Sequence, residues 1–217
     1  MPGATSLAIM RCPACRQPAL EHDQACSQCG FSLEALGPMM GIPPMLNGPL
    51  VDLARVLSGS QRRSVLKTIQ ALHQRFPQVS LAAVMTDLLP EIPLALHAFW
   101  LFNRGSLFSA VERGGDNHGV LLLIDTSSQR AVTIIGYGLE PFVSEMTLEV
   151  CLNAAAGSLA KEEYGPALEA FIREIERQLT TLQHQLPRTF GFEDAGTWLA
   201  SGESPAEKVM ARDDDLY

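Results

Sequence analysis

Residues Gly114 to Glu140 read GGDNHGVLLLIDTSSQRAVTIIGYGLE, and this stretch decides the fold. Its middle, Gly119 to Ile124, is a continuous apolar run too short for an ordinary helix and bounded by turn residues, as a strand buried on both faces reads. Asp125 to Gln129 supplies a turn, and Ala131 to Ile135 is a β-branched run that returns antiparallel. The hairpin therefore brings two polar glycine-rich corners together at the end opposite its turn. One is Gly114-Gly-Asp-Asn-His118 and the other Gly136-Tyr-Gly-Leu-Glu140. Glycine at such corners permits positive φ and close approach of the backbone. Asp116, Asn117 and Glu140 would then offer oxygen atoms to one small volume, as hard ligands suited to calcium or magnesium. The plainer alternative is that Asp116-Asn117 is turn chemistry and Glu140 caps the helix that follows. Asp125 belongs to the turn at the other end, a structural position.

Working back toward the start, Val79, Leu81, Ala83 and Met85 alternate as a strand that stops near Asp87. Before it, Ser58-Gly-Ser-Gln61 fits a capping box. Val65, Ile69, Leu72 and Phe76 then share one helix face, ended by Pro77. Pro49 to Leu57 leads into that helix. Gly37 to Gly48, rich in proline and glycine, reads as a linker unable to sustain a helix. After the hairpin come two helical stripes. Leu148, Leu152, Ala155 and Leu159 form the first, with Ser144 as N-cap. Leu168, Phe171, Ile172, Ile175, Leu179 and Leu182 form the second, and Pro187 closes the domain. Cys151 falls on the apolar side of the first stripe and reads as a buried structural thiol.

Cys12-Pro-Ala-Cys15 and Cys26-Ser-Gln-Cys29 are two C-x-x-C knuckles, followed by Gly30 where a knuckle needs positive φ. Four thiolates on two tight turns close a tetrahedron around zinc. Two disulfides or redox dithiols are the competing readings; the chain opens with no secretory signal pattern, which disfavours disulfides. A segment this small builds no core, so the metal supplies its folding energy.

The 217 residues are 47% apolar and 18% charged, enough to bury a sizeable core, and no run is long enough to span a membrane. The net charge of −8, without a Lys/Arg stripe, argues against nucleic acid. There is no phosphate-loop, G-x-S-x-G or H-E-x-x-H motif. The expected organisation is a zinc ribbon at 10–34, a linker at 35–48, an α/β domain at 49–186 and an acidic, largely disordered tail at 187–217. In that tail Phe190, Phe192 and Trp198 suggest a docking motif.

GVLLLI, a turn and GYGLE together resemble the core of the TPM family of α/β modules. The resemblance runs from Gly48-Pro-Leu-Val-Asp-Leu-Ala-Arg-Val-Leu-Ser58 to Tyr164-Gly-Pro-Ala-Leu-Glu-Ala-Phe171. It implies a three-layer α/β/α fold with a small mixed sheet, and a helix over Ile92 to Asn103 crossing between parallel strands. It also implies that Asp52 stands where the family carries an acid and could join Asp116, Asn117 and Glu140. Divalent-cation binding and phosphatase activity occur in some relatives, so the resemblance implies metal-assisted phosphomonoester hydrolysis as one function. Here Pro141 to Glu145 replaces the Leu-Thr-Asp-like turn that usually follows GYGLE. Family members are often exported or anchored, and the N-terminus here has no such pattern, which points to the cytoplasm. The expected function is a cytoplasmic protein-binding or regulatory module with a structural zinc, a weak calcium or magnesium site and a protein partner.

Overall fold

The computed structural model describes residues 10–19, 24–42, 44–88, 90–108 and 117–189. The chain divides into two compact units, Met1–Ile175 and Glu176–Tyr217, and the first holds every strand of the protein's described residues. A two-stranded hairpin, β1 (Met10–Arg11) and β2 (Pro18–Ala19), opens the described chain. Then come α1 (Leu33–Met40), β3 (Leu50–Asp52), α2 (Gly59–Arg75), β4 (Ser80–Thr86), α3 (Leu94–Arg104), β5 (Gly119–Asp125), β6 (Arg130–Ile135), α4 (Glu145–Leu159) and α5 (Tyr164–Thr189).

The sheet order is β3-β4-β5-β6, with β3, β4 and β5 parallel and β6 antiparallel to β5. It is the small mixed sheet expected. All seven residues of β5 are buried, as its uninterrupted apolar run requires of a central strand. One face of the sheet presents Val51, Ala82, Val84, Leu121 and Leu123 to Leu96, Trp100 and Leu101 of α3 and to Leu36 of α1. On the opposite face α2 lies across β3 and β4, burying Val65, Ile69 and Leu72. The start of α5 sits beside α2, with Gly165 close against the Gln61 side chain. Packing on both faces makes the module three-layered.

Local chemistry sets the element ends. Ser58 Oγ accepts from Gln61 N at 3.2 Å while Gln61 Oε1 accepts from Ser58 N at 2.9 Å, a complete capping box. Ser144 Oγ accepts from Thr147 N at 3.2 Å and caps α4, so Glu140 is not the cap of that helix. Cys151 is fully buried in α4.

Two expectations are corrected. Leu50–Asp52 does not simply lead into a helix: it is strand β3, whose short Leu-Val-Asp run is held by pairing with β4 rather than by propensity. The segment from Gly37 is not wholly a linker, because α1 continues to Met40 through Pro38. Ser32 caps this helix, and Leu36 is buried in the core under α3, which compensates for the N–H that Pro38 lacks. The last helix, α5, runs on through Pro187 to Thr189; a proline so near a helix end forfeits a single backbone bond.

At the hairpin turn Asp125 is 8% exposed yet ionised. Its Oδ1 accepts from Leu88 N at 3.3 Å, Ser127 N at 3.2 Å and Ser127 Oγ at 2.7 Å, and its Oδ2 accepts from Ser128 Oγ. Desolvation pushes its pKa up, but these donors outweigh it and hold the carboxyl below the ordinary aspartate value. A lowered folded pKa stabilises the fold at pH above the unfolded value, about 3.9, and that contribution is lost as acid titrates the folded group. Asp125→Ala is expected to cost about 1.5–3 kcal/mol at neutral pH. As the pH falls below the unfolded value the difference should shrink, and denaturant titrations at neutral and at acid pH check it.

Candidate metal centre and glycine corners

The two knuckles are built alike. Cys12 N donates to Gln17 O at 2.8 Å and Arg16 N to Cys12 O at 2.8 Å; Cys26 N donates to Phe31 O at 2.7 Å and Gly30 N to Cys26 O at 2.8 Å. Each turn therefore closes over the first sulfur and aims both thiols inward. The residue after each second cysteine takes a left-handed conformation, φ 71° at Gly30 and φ 60° at Arg16. For Gly30 this costs little, whereas an L side chain at Arg16 carries roughly 1 kcal/mol of strain. Arg16→Gly is expected to slow metal loss to a chelator severalfold.

The four Sγ atoms lie within 4.8 Å of one another, with Cys12 to Cys29 and Cys15 to Cys26 both at 3.7 Å. A tetrahedron of sulfurs ~2.3 Å from a central zinc has edges of about 3.8 Å. All four cysteines are free thiols, so the disulfide reading does not describe this arrangement. Hydrogen bonds from the backbone N–H groups of Cys29 and Gln28 bring the Cys26 thiol down to about 7. At Cys29 the Phe31 N–H lowers the value, but desolvation and the three neighbouring sulfurs outweigh it and push the thiol up to about 12. Four clustered thiols do not all ionise without a cation among them, and a bound metal removes that conflict. The cluster could hold a metal ion.

The ribbon rests on the α/β core. Phe31 meets Phe99 edge to face, ring centroids 5.6 Å apart, Arg11 lies 3.7 Å from Glu145, and Arg104 lies 3.6 Å from Glu34. Both ion pairs are exposed and contribute little; the aromatic contact is the stronger tie.

The hairpin does bring its two ends together. Gly138 N donates to Asn117 O at 2.9 Å and Gly136 N to Gly119 O at 2.8 Å. A Cβ on Gly136 would lie 2.3 Å from Asn117 O and from its Oδ1, so glycine is required there for close approach. Positive φ is not the reason: among the described glycines it occurs in Gly30, Gly41 and Gly48. Asn117 is buried, and its Oδ1 accepts from Gly119 N at 3.2 Å. Glu140 follows in a turn whose N–H donates to Tyr137 O, and both Glu140 and Asn117 line the same cavity. Gly114, Gly115 and Asp116 lie outside the described residues, as do residues 190–217 with Phe190, Phe192 and Trp198.

Asp52 is not at this corner. It pairs with Met85, which pairs with Ile124, so it stands near the far end of β5, about 20 Å of strand from Asn117. Its Oδ1 and Oδ2 accept from Val56 N and Leu57 N, each at 3.0 Å. The structure thus separates Asp52 from Asn117 and Glu140. Strand direction is the cause: all parallel strands carry their C-terminal residues to one end, and Asn117 precedes its strand. The sequence showed Asp52 only as an acid near a helix start, and β3 had to be recognised as a parallel strand to locate it.

Fold and thiol cluster define a small three-layer α/β module carrying a four-cysteine ribbon. Residues 50–178 match the TPM domain, more than half of the chain, and the protein belongs to this family. Among curated proteins none matches. Three solution NMR structures are similar. The N-terminal domain of a P. gingivalis protein has 20% identity and TM-score 0.47, over 60% of this chain and 80% of its own. The N-terminal domain of cg2496 from Corynebacterium glutamicum has 12% identity and TM-score 0.47, over 63% and 83%. The BA42 protein from Bizionia argentinensis has 15% identity and TM-score 0.48, over 60% and 86%. Among the described residues no helix is long and apolar enough to cross a membrane.

Proposed function

We propose that this protein is a cytoplasmic protein-binding or regulatory module whose four cysteines hold a structural zinc. The observation that carries this reading is the apolar surface left in water. Ile42 is 93% exposed, Met45 79% and Met146 74%. Ile42 and Met45 stand within four residues of one another in the chain, and apolar side chains grouped in water favour partner docking. The separation of Asp52 from Asn117 and Glu140 supports binding over hydrolysis, because the expected set of oxygen ligands is not gathered at one corner.

The test is capture of partners by proximity labelling with the full chain, beside a variant in which Ile42 and Met45 are both replaced by serine. We expect specific partners to be lost from the variant, with zinc content unchanged. Identical capture by both proteins would sink the reading. In parallel, phosphomonoester hydrolysis is expected to stay at background in millimolar calcium or magnesium. Turnover abolished by Asp116→Ala or Glu140→Ala would replace the binding reading with a metal-dependent hydrolase.

A further inference from the structure

The sheet ends at β6, and its outer edge is open. Gly136 lies opposite Gly119 and donates to it, one step beyond the Ile135 to Val120 pairing. Bonding and non-bonding pairs alternate along an antiparallel ladder. Ile134, Val132 and Arg130 therefore turn their backbone groups toward β5, while Ala131, Thr133 and Ile135 turn theirs away. Among the described residues no hydrogen bond reaches the N–H or C=O of these three. Thr133 is 9% exposed, and its Oγ1 is buried with no partner either. Unsatisfied buried polar groups are uncommon in a finished fold, and Thr133 Oγ1 is one of two such side-chain atoms among the described residues, the other being Trp100 Nε1.

This edge does not face open solvent. A cavity of about 350 Å³ runs along Val132 to Gly136, walled by Pro13 of the ribbon, Phe99 of α3 and Leu148 and Leu152 of α4. Its lining carries Glu140, Glu145 and Glu149 as well as Arg11 and Arg16, and Arg11 is already near Glu145. An edge strand with unpaired backbone, set in a trough with an acidic excess, suits one kind of ligand.

We propose that an extended, net-basic segment of a partner protein adds to β6 as a further strand of the sheet, pairing with Ala131, Thr133 and Ile135. This rests on the protein-binding reading and names its partner class. The trough favours a single peptide strand over a second copy of the chain. A β6-to-β6 pairing would bring the α4 and ribbon walls of both copies into the same narrow space.

The test uses the zinc-loaded full chain, observed by amide hydrogen exchange in NMR. The probe is a blocked Lys-Val hexapeptide of alternating sequence, with its fully N-methylated counterpart as control. At saturation the amides of Ala131, Thr133 and Ile135 should exchange at least tenfold more slowly, with Val132 and Ile134 unchanged and the N-methylated peptide without effect. Glu149→Lys, an exposed change, should weaken binding at least fivefold. Thr133→Pro removes one edge donor where proline is tolerated and should abolish the protection. If that variant loses its fold, Glu149→Lys and the N-methylated control still decide. No slowing with the natural-backbone peptide overturns the proposal, as does protection in the free protein that grows with protein concentration, which marks a second copy. A captured partner that binds while these amides exchange freely overturns the edge site but leaves the protein-binding reading intact; absence of any partner removes that reading itself.

Discussion

Protein purified without chelator is expected to contain about one zinc per chain, and Cys26→Ser is expected to release it. Cys26 is 7% exposed and sits 3.7 Å from Cys15, and backbone N–H donors bring its thiol down to about 7. Serine cannot replace it, since a hydroxyl stays protonated and is a hard ligand for a borderline-soft ion. Apart from Cys12 and Cys26, no ribbon residue among those described, from Arg11 to Gly30, is a buried hydrophobic. A bound metal would therefore be the centre of the ribbon, and a structural zinc contributes about 10–16 kcal/mol to folding of such units. Elemental analysis should fall from one zinc toward none, and proteolysis should then cut between residues 10 and 31. The α/β core should remain folded, less stable by about 1 kcal/mol for the lost Phe31 to Phe99 contact. A ribbon that resists protease without metal would refute the metal's role as its core.

Leu122→Ala is the second large effect. Leu122 lies in the middle of β5, 1% exposed, paired with Ala83 on one side and Thr133 on the other. Its small neighbours cannot move in to fill the space, because each is fixed by a ladder. Deleting a buried leucine side chain costs about 2–5 kcal/mol, and a site that cannot collapse lies toward the upper end. Urea denaturation should show a lower midpoint with unchanged slope. A loss below about 1 kcal/mol would mean that the centre of the sheet is more loosely packed than its burial implies.

The features legible in sequence were those with a local cause. β5 announced itself by an apolar run, the β5–β6 hairpin by its turn, and α2 by a capping box whose two bonds both form. The thiol cluster was legible because two tight turns at this spacing have few ways to close. What depended on distant partners was not. β3 is three residues long, and only its pairing with β4 makes it a strand. Leu36 reads as one leucine near a proline, and only the α3 surface explains why α1 persists past Gly37. Asp52 was placed near the wrong corner for the same reason, since the end of a sheet to which a residue belongs follows from strand direction.

The seating of Phe31 on Phe99 also has a temporal side. Sixty-eight residues separate the two rings in the chain. At roughly 5–20 residues per second, α3 emerges from the ribosome about 3–14 s after the ribbon does. On the zinc reading proposed above, the knuckles can already capture an ion during that interval, but Phe31 has nothing to sit on. The nascent ribbon is thus a loaded clasp with a bare aromatic face. A shortage of zinc during synthesis would leave α3 to meet a partner that has not yet taken shape.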